Sequence, residues 1–246
     1  MSVSVTVVGS GDSFGSGGRF HTCFLVDAEG IRFCIDFGAS SLIALERLGI
    51  AHNSIDVIVL THLHGDHCGG IPFLLMDAML GAKRERPLTI AGPRDTTERM
   101  KEVAAALMPG MHVMKPKFPL TYLDLEVLTT HQIGPLKVRT YPAIHTRETN
   151  PTSVRIEAAG KIIAYTGDGE WTDHMLSLAD AADLLIAECY FYQKQVRFHL
   201  NYPDIVKHRK EIGAKRMVLT HFSGEMLANL NHVSEECAHD GLLIHL

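Results

Sequence analysis

The stretch Thr61-His62-Leu63-His64-Gly65-Asp66-His67 decides the fold of this chain, because it places three histidines and one aspartate within six consecutive positions. The preceding segment, residues 55–60, is a short β-branched apolar run that predicts a buried strand. The following segment, residues 68–76, predicts a turn into a helix, since Pro72 is tolerated in a first helical turn. The cluster is therefore expected at a strand–helix junction, where α/β proteins commonly place functional groups.

The composition restricts the class of protein. Of the 246 residues, 46% are hydrophobic, which is enough to bury a sizeable core. The net charge of −5, counted with histidine neutral, gives no overall attraction for a nucleic acid. The unusual feature is the count of 15 histidines, since histidine is both a pH-sensitive group and a common metal ligand.

The N-terminus and the cysteines indicate the compartment. Residues 1–8 enter an alternating strand pattern directly, and no apolar stretch reaches the length of a membrane-spanning helix. The five cysteines are scattered and form no CxxC pair, so neither a thiol-rich zinc site nor a disulfide framework is indicated. We therefore expect a cytoplasmic protein with reduced cysteines and no membrane contact.

Apolar periodicity predicts many strands and few helices. Strands are expected at residues 3–8, 21–27, 31–36, 55–60, 88–91, within 118–143, and at 153–158, 161–166, 182–187, 216–219 and 242–246. Helices are expected at 41–48, 71–80, 96–107 and 203–212. No repeat, low-complexity segment or linker divides the chain. Residues 1–246 are therefore expected to form a single α/β domain of two β-sheets flanked by helices.

Four further polar residues follow predicted strands, namely His145, Asp168, Glu188 and His221. Each alone could be an ordinary cap or turn residue. Together with the HxHxDH cluster they provide about seven candidate ligands, and imidazole and carboxylate suit zinc, manganese or iron. Because a single metal needs three or four protein ligands, this number predicts two metals bridged by a carboxylate.

The HxHxDH cluster and the downstream His145, Asp168 and His221 resemble the metallo-β-lactamase superfamily. The similar branch includes ribonuclease Z and the cyclic phosphodiesterases of phosphonate breakdown. The resemblance covers nearly the whole chain and implies a four-layer αββα sandwich, two divalent metal ions per chain and a homodimer. Zinc is the first metal it implies, with manganese or iron as alternatives. One ion would be held by His62, His64 and His145, the other by Asp66, His67 and His221, and Asp168 would bridge them.

Residues 188–201 also resemble the ribonuclease Z branch. The resemblance implies that His199 contacts the scissile phosphate and protonates the leaving group, with Glu188 orienting it. It gives Asp66 a second role, orienting or deprotonating the attacking water. The alternative for His199 is an ordinary histidine in a surface loop.

The chain also departs from ribonuclease Z. That enzyme inserts a long tRNA-gripping arm between the counterparts of His145 and Asp168, whereas here only 22 residues separate them. A tight hairpin at residues 153–166 fills most of this interval. The lack of the arm agrees with the lack of net positive charge.

These features favour a metal-dependent phosphodiesterase in which two cations share a bridging hydroxide that attacks phosphorus. Its substrate would be a small or cyclic phosphodiester or an RNA end. The first alternative is a thioester, lactone or lactam hydrolase on the same fold. The second is a non-catalytic metal-binding member of the superfamily. The glycine-rich segment at residues 9–18 either lines the substrate pocket or is a plain turn.

Overall fold

The computed structural model describes residues 2–246 as two seven-stranded sheets with helices packed on their outer faces. The strands are β1 (Ser4–Gly9), β2 (Cys23–Ala28), β3 (Ile31–Ile35), β4 (Val57–Val59), β5 (Leu88–Gly92), β6 (Leu120–Asp124), β7 (Thr130–Ile133), β8 (Leu136–Pro142), β9 (Thr152–Ala158), β10 (Lys161–Tyr165), β11 (Leu184–Glu188), β12 (Met217–Thr220), β13 (Glu236–Cys237) and β14 (Leu243–His245). The α-helices are α1 (Ser41–Arg47), α2 (Gly65–Cys68), α3 (Ile71–Met76), α4 (Thr96–Leu107), α5 (His174–Ala179), α6 (Tyr202–His208) and α7 (Gly224–Leu227).

The two sheets have the same pattern of strand directions. The first sheet has the order β14-β1-β2-β3-β4-β5-β6, and the second has the order β13-β12-β11-β10-β9-β8-β7. The first sheet read from β14 and the second sheet read from β7 each have three antiparallel pairings followed by three parallel ones. The central parallel strands β4 and β11 are entirely buried, which explains their continuous apolar sequences.

Three apolar clusters separate the four layers. The first lies between the sheets, where the rings of Phe24 and Tyr165 meet edge to face at 5.0 Å between centroids. The second packs the first sheet against α1, α3 and α4, and the third packs the second sheet against α5 and α6. This arrangement is the expected αββα sandwich.

The structure also corrects some sequence-based boundaries. The strand-like region 118–143 contains three strands, because the chain crosses between the sheets at residues 125–128. There Leu125 N donates to Gly92 O in the first sheet, and Leu128 N donates to Thr140 O in the second. The last predicted helix ends at His208, and α5 was not predicted, since six residues are too few for a clear helical period. None of the helices in residues 2–246 is long and apolar enough to cross a membrane.

Candidate metal centre

The loop after β4 is held by a buried carboxylate that follows the neighbouring strand β3. Asp36 accepts hydrogen bonds from Thr61 N at 2.7 Å, from Thr61 Oγ1 at 2.8 Å and from His67 Nδ1 at 2.7 Å. Asp36 has φ +58°, a left-handed conformation that is uncommon outside glycine. The bond to Nδ1 leaves His67 Nε2 as the nitrogen free to bind a metal. Sequence reasoning treated Asp36 only as the end of a hairpin, although it follows a parallel strand as Asp168 does.

His62, His64 and His145, which we call the histidine group, bring their ring nitrogens together at one side of the centre. His64 Nδ1 lies 3.2 Å from His62 Nε2 and 3.1 Å from His145 Nε2. The opposite nitrogens of two of these histidines are occupied, since His62 Nδ1 faces Thr61 Oγ1 at 3.1 Å and His145 Nδ1 donates to Phe198 O at 2.5 Å. Such outer hydrogen bonds fix the tautomer and are typical of metal-binding histidines.

Asp66, His67, Asp168 and His221, which we call the mixed group, are all buried beside the histidine group. Asp66 Oδ2 lies 3.3 Å from His221 Nε2 and 3.4 Å from His67 Nε2. Asp168 contributes both oxygens, with Oδ1 at 3.4 Å from His67 Nε2 and Oδ2 at 3.4 Å from His221 Nε2. Oδ2 also lies 4.0 Å from His62 Nε2, which places Asp168 between the two groups.

The donor set fits a divalent cation. His67 Nε2 and Asp168 Oδ1 are buried without a hydrogen-bond partner, an arrangement that costs free energy unless another group binds them. Both atoms point into the space between the residues of the mixed group. Imidazole nitrogens and carboxylate oxygens are the ligands of zinc, and they also suit manganese and iron.

The two groups have opposite electrostatics. In the histidine group, burial lowers the pKa of His62, His64 and His145, and the charge of His67 lowers the pKa of His62 and His64 further. In the mixed group, burial lowers the pKa of His67 and His221, but the nearby carboxylates together more than offset it, namely Asp168 and Asp66 for both histidines, Asp36 for His67 and Glu188 for His221. The pKa of His221 is therefore raised to about 9, and that of His67 is raised well above its ordinary value. Although burial raises the pKa of Asp66, the charges and hydrogen bonds of His67 and His221 together lower it well below its ordinary value.

His199 and Glu188 form a pair at the edge of the centre. His199 Nδ1 donates to Glu188 Oε1 at 2.5 Å, while Gly169 N and Leu200 N each donate to Oε2 at 2.9 Å. Burial would lower the pKa of His199, but the hydrogen bond and charge of Glu188 raise it. Because Nδ1 is engaged, Nε2 is the nitrogen that can meet a substrate. Glu188 Oε1 also lies 3.5 Å from His221 Nδ1, so one carboxylate supports both histidines.

A cavity of about 240 Å³ opens over these groups. It is bordered by His64, His145, Asp168, His199 and His221, together with Ser13, Phe14, Thr146, Tyr190, Arg197 and Phe198. The glycine-rich segment thus lines the cavity, and Ser13 Oγ donates to Asp66 Oδ2 at 2.6 Å. Ser13 carried no sequence signal of its own. A larger cavity of about 580 Å³ near Arg94 and Arg147 contains none of the candidate ligands.

The structure brings together every residue that the sequence singled out. The seven candidate ligands lie in the two groups, and Glu188 lies against both His199 and His221. Their roles as ligands, proton donor and orienting group remain predictions.

Known proteins are similar to this chain in sequence and in fold. A profile of the family described as anti-Pycsar protein Apyc1 matches residues 3–238. A ribonuclease Z from Agathobacter rectalis is 24% identical over 85% of this chain and 84% of its own length. The probable metallo-hydrolase YhfI of Bacillus subtilis is 26% identical over 89% of this chain and 86% of its own length.

Solved structures agree on the fold. The metallo-β-lactamase fold protein YhfI from Bacillus subtilis superimposes with a TM-score of 0.80 at 22% identity, covering all of both chains. The short form of human tRNase Z gives a TM-score of 0.77 at 24% identity, covering 98% of both chains. The match over residues 3–238 and these relatives lead to one assignment. The chain is a metal-dependent hydrolase of the ribonuclease Z-like branch of the metallo-β-lactamase superfamily, and it belongs to the family described as anti-Pycsar protein Apyc1.

Proposed function

We propose that this protein is a phosphodiesterase that uses two divalent metal ions to hydrolyse a small or cyclic phosphodiester. The observation that carries the proposal is the position of Asp168, which lies between the histidine group and the mixed group. His199 lies at the same cavity, where a departing oxygen could receive a proton. A full donor set and a proton donor together suit hydrolysis of a phosphodiester.

His62, His64 and His145 would hold one ion, Asp66, His67 and His221 the other, and Asp168 would contact both. Divalent cations bound there would supply Lewis acidity and lower the pKa of a water molecule. Zinc suits the donor set best, and manganese or iron are the alternatives.

The chain's own groups would handle the protons. Asp66, held by Ser13, would orient the attacking water or accept its proton. The water oxygen forms the new bond to phosphorus as the bond to the leaving oxygen breaks. His199, kept protonated by Glu188, gives its Nε2 proton to that leaving oxygen.

The short interval between His145 and Asp168 favours a small substrate over an RNA end. Between His145 and Asp168, the described chain forms one helical turn and the β9–β10 hairpin, without an extended arm. An RNA end remains the second candidate, because curated relatives of this chain are named ribonuclease Z.

The other candidates are a thioester, lactone or lactam hydrolase and a non-catalytic metal-binding protein. Hydrolysis of a carboxyl ester gives no evident role to the His199–Glu188 pair. A protein that only binds metal would not need a proton donor at the cavity, and a degenerate site usually lacks some ligands. Both observations support the phosphodiesterase.

We also propose a homodimer. Leu107, Val113 and Met114 expose 50%, 71% and 36% of their surfaces within eight residues of the chain. Exposed apolar side chains that lie close together often mark an interaction surface. Light scattering after size exclusion should give twice 27.1 kDa. A mass of 27.1 kDa at micromolar concentration would contradict the dimer.

The function is tested by assaying the protein loaded with Mn²⁺ or Zn²⁺. We expect turnover of bis-p-nitrophenyl phosphate and of a nucleoside 3′,5′-cyclic monophosphate, and loss of both activities after chelation. His245→Ala, an exposed histidine on β14, is a matched control that should keep full activity. Rapid cleavage of a thioester or lactone without any phosphodiester turnover would overturn the proposal.

A further inference from the structure

The C-terminal segment of the chain crosses from the second sheet to the first. β13 belongs to the second sheet and β14 to the first, and Asp240 lies in the turn between them. Ala238 N donates to Leu219 O in the second sheet at 2.8 Å, and Gly241 N donates to Val7 O in the first sheet at 2.7 Å. The turn that carries Asp240 is therefore attached to both sheets.

The carboxylate of Asp240 binds both ends of the loop between β1 and β2, residues 10–22, which we call the N-terminal loop. Its Oδ1 accepts hydrogen bonds from Ser10 N at 2.9 Å and from Ser10 Oγ at 2.7 Å, and its Oδ2 accepts one from Phe20 N at 2.9 Å. Arg19 Nη1 strengthens the attachment, since it donates to Ser10 Oγ at 2.9 Å and to Ala238 O at 2.6 Å. Hydrogen bonds to a carboxylate are stronger than those between neutral groups, so Asp240 fixes where this loop begins and ends.

The N-terminal loop reaches the mixed group at two points. Ser13 Oγ donates to Asp66 Oδ2 at 2.6 Å, and Ser10 O accepts a hydrogen bond from His221 N at 3.2 Å. His221 has φ +61°, which is uncommon for a residue other than glycine, so its backbone needs such support. Within residues 2–246, the loop forms no hydrogen bond with the histidine group.

We propose that Asp240 is a positioning residue for the mixed group. By fixing the N-terminal loop, it sets the carboxylate of Asp66 through Ser13. By the same bonds, it sets the backbone of His221 through Ser10. This inference rests on the part of the proposed function that assigns a cation to the mixed group, and it does not depend on which bond the protein hydrolyses. Cation binding at the mixed group should therefore depend on Asp240, whereas cation binding at the histidine group should not.

The alternative is that Asp240 only stabilises the fold. Asp183 provides a matched control, because it is another half-buried carboxylate. It accepts hydrogen bonds from Ile162 N at 2.9 Å and from Lys215 Nζ at 2.8 Å. Asp183 directly precedes β11, so it lies at the opposite end of that strand from Glu188 and the metal centre. Asp183→Asn therefore weakens comparable contacts at a site that does not reach the mixed group.

The test measures the affinity for Zn²⁺ by competition with a chromophoric chelator, in two backgrounds. His64→Ala removes a candidate ligand from the histidine group and leaves the mixed group complete, and His221→Ala does the reverse. Asp240→Asn is introduced into each background, because an amide has nearly the shape of a carboxylate but cannot accept hydrogen bonds at both ends. Asp183→Asn is introduced in the same way. The melting temperature of each variant is recorded.

In the His64→Ala background, we expect Asp240→Asn to lower the affinity for Zn²⁺ by about 10-fold, the lower end of the range for losing an outer hydrogen-bond partner. In the His221→Ala background, the affinity should change less than about twofold. Asp183→Asn should leave the affinity unchanged in both backgrounds, even if it lowers the melting temperature as much. An unchanged affinity with Asp240→Asn in the His64→Ala background would overturn the proposal. Equal losses in the two backgrounds, or an equal loss with Asp183→Asn, would overturn it as well.

A double-mutant cycle tests the path from Asp240 to Asp66. Ser13→Ala is measured alone and together with Asp240→Asn in the His64→Ala background. Because both changes act on Asp66, the combined loss of affinity should be smaller than the product of the separate losses. Losses that multiply would contradict the path through Ser13.

Zinc binding requires no turnover, so this test is separate from the test of the proposed function. A protein that binds two zinc ions but cleaves no phosphodiester would overturn the proposed function and leave the role of Asp240 standing. Loss of the mixed-group affinity with neither Asp240→Asn nor Ser13→Ala, in a protein that cleaves phosphodiesters, would do the opposite. A wild-type protein that binds no Zn²⁺ would overturn both proposals.

Discussion

The histidine group and the mixed group lie side by side but differ in charge and in exposure. The histidine group has no carboxylate of its own, and His64 is half-buried at the cavity. The mixed group contains two carboxylates, and all four of its residues are buried. Carboxylates strengthen cation binding, whereas an exposed position gives a substrate access. We therefore expect the mixed group to bind its cation more tightly than the histidine group, while residues of both groups border the cavity.

The groups also differ in how the chain builds them. The loop after β4 supplies two residues to each group within six positions. The second sheet adds single residues after β8, β10 and β12. Asp36 supports both groups, bonding His67 directly and His62 through Thr61. The following predictions test this comparison, in order of decreasing effect.

Asp168→Ala removes the one residue that lies between the groups. We expect metal content to fall below two per chain and kcat/KM to fall by roughly 10⁴-fold, because both ions lose a ligand and their common anchor. Metal analysis and phosphodiesterase kinetics provide the measurement. Asp173→Ala, in the exposed turn before α5, serves as the control. An Asp168→Ala protein that keeps two ions and normal turnover would show that the groups act independently.

His199→Ala should leave both groups intact and retain two ions per chain. It should slow turnover by roughly 10²–10⁴-fold, the usual contribution of a general acid. Because its pKa is raised, His199 stays protonated to a higher pH than an ordinary histidine. We therefore expect kcat of the wild type to fall with increasing pH only above about pH 6.5. That alkaline limb should vanish in the variant. Unchanged turnover would remove His199 from the reaction.

Asp36→Asn weakens support for both groups without removing a candidate ligand. We expect metal affinity to fall about 10–100-fold, the usual effect of losing an outer hydrogen-bond partner. The mixed group should be affected more, since Asp36 contacts His67 directly and reaches His62 only through Thr61. Competition with a chromophoric chelator gives the two affinities. An equal loss of metal affinity at the histidine group and the mixed group would contradict the stronger dependence of the mixed group on Asp36.

The number of protons released on metal binding should differ between the two groups, and this is the smallest effect that we predict. In the metal-free protein, His67 and His221 have raised pKa values and are protonated at pH 7, whereas His62, His64 and His145 have lowered pKa values and are neutral. Binding at the mixed group must expel protons, so its affinity should increase as pH rises toward about 9. Calorimetry in buffers of different ionisation enthalpy measures this release. Binding of the first ion without proton release would contradict the assignment.

The raised pKa of His221 also predicts how the metal-free protein responds to pH. A folded-state pKa of about 9 lies above the unfolded value of about 6.5, so the protonated histidine stabilises the fold fully below pH 6.5. This stabilisation is lost as pH rises through about 9. Urea unfolding of the chelated protein should therefore show lower stability at pH 9.5 than at pH 6.5, and His221→Gln should reduce the difference.

The sequence predicted the parts of the site that are concentrated or that follow a strand. The stretch from Thr61 to His67 is recognisable as a motif in the sequence. Four further residues each follow a predicted strand, namely His145, Asp168, Glu188 and His221. Asp36 lies at the end of the predicted strand 31–36, but the sequence did not single it out, because its partners lie 25 and 31 residues away. Ser13 could not be predicted, since its contact with Asp66 depends on how two separate loops meet. The short α5 was missed because six residues are too few to show a clear helical periodicity.

The central claim is that the two groups hold two ions that share Asp168. A crystal structure of the metal-loaded protein, with anomalous scattering at the metal edges, tests it directly. We predict two peaks about 3.5–4 Å apart, one beside the histidine group and one within the mixed group. Ligand distances should be about 2.0–2.2 Å, and the oxygens of Asp168 should reach both ions. A single peak, or a second ion bound away from His62, His64 and His145, would contradict the account.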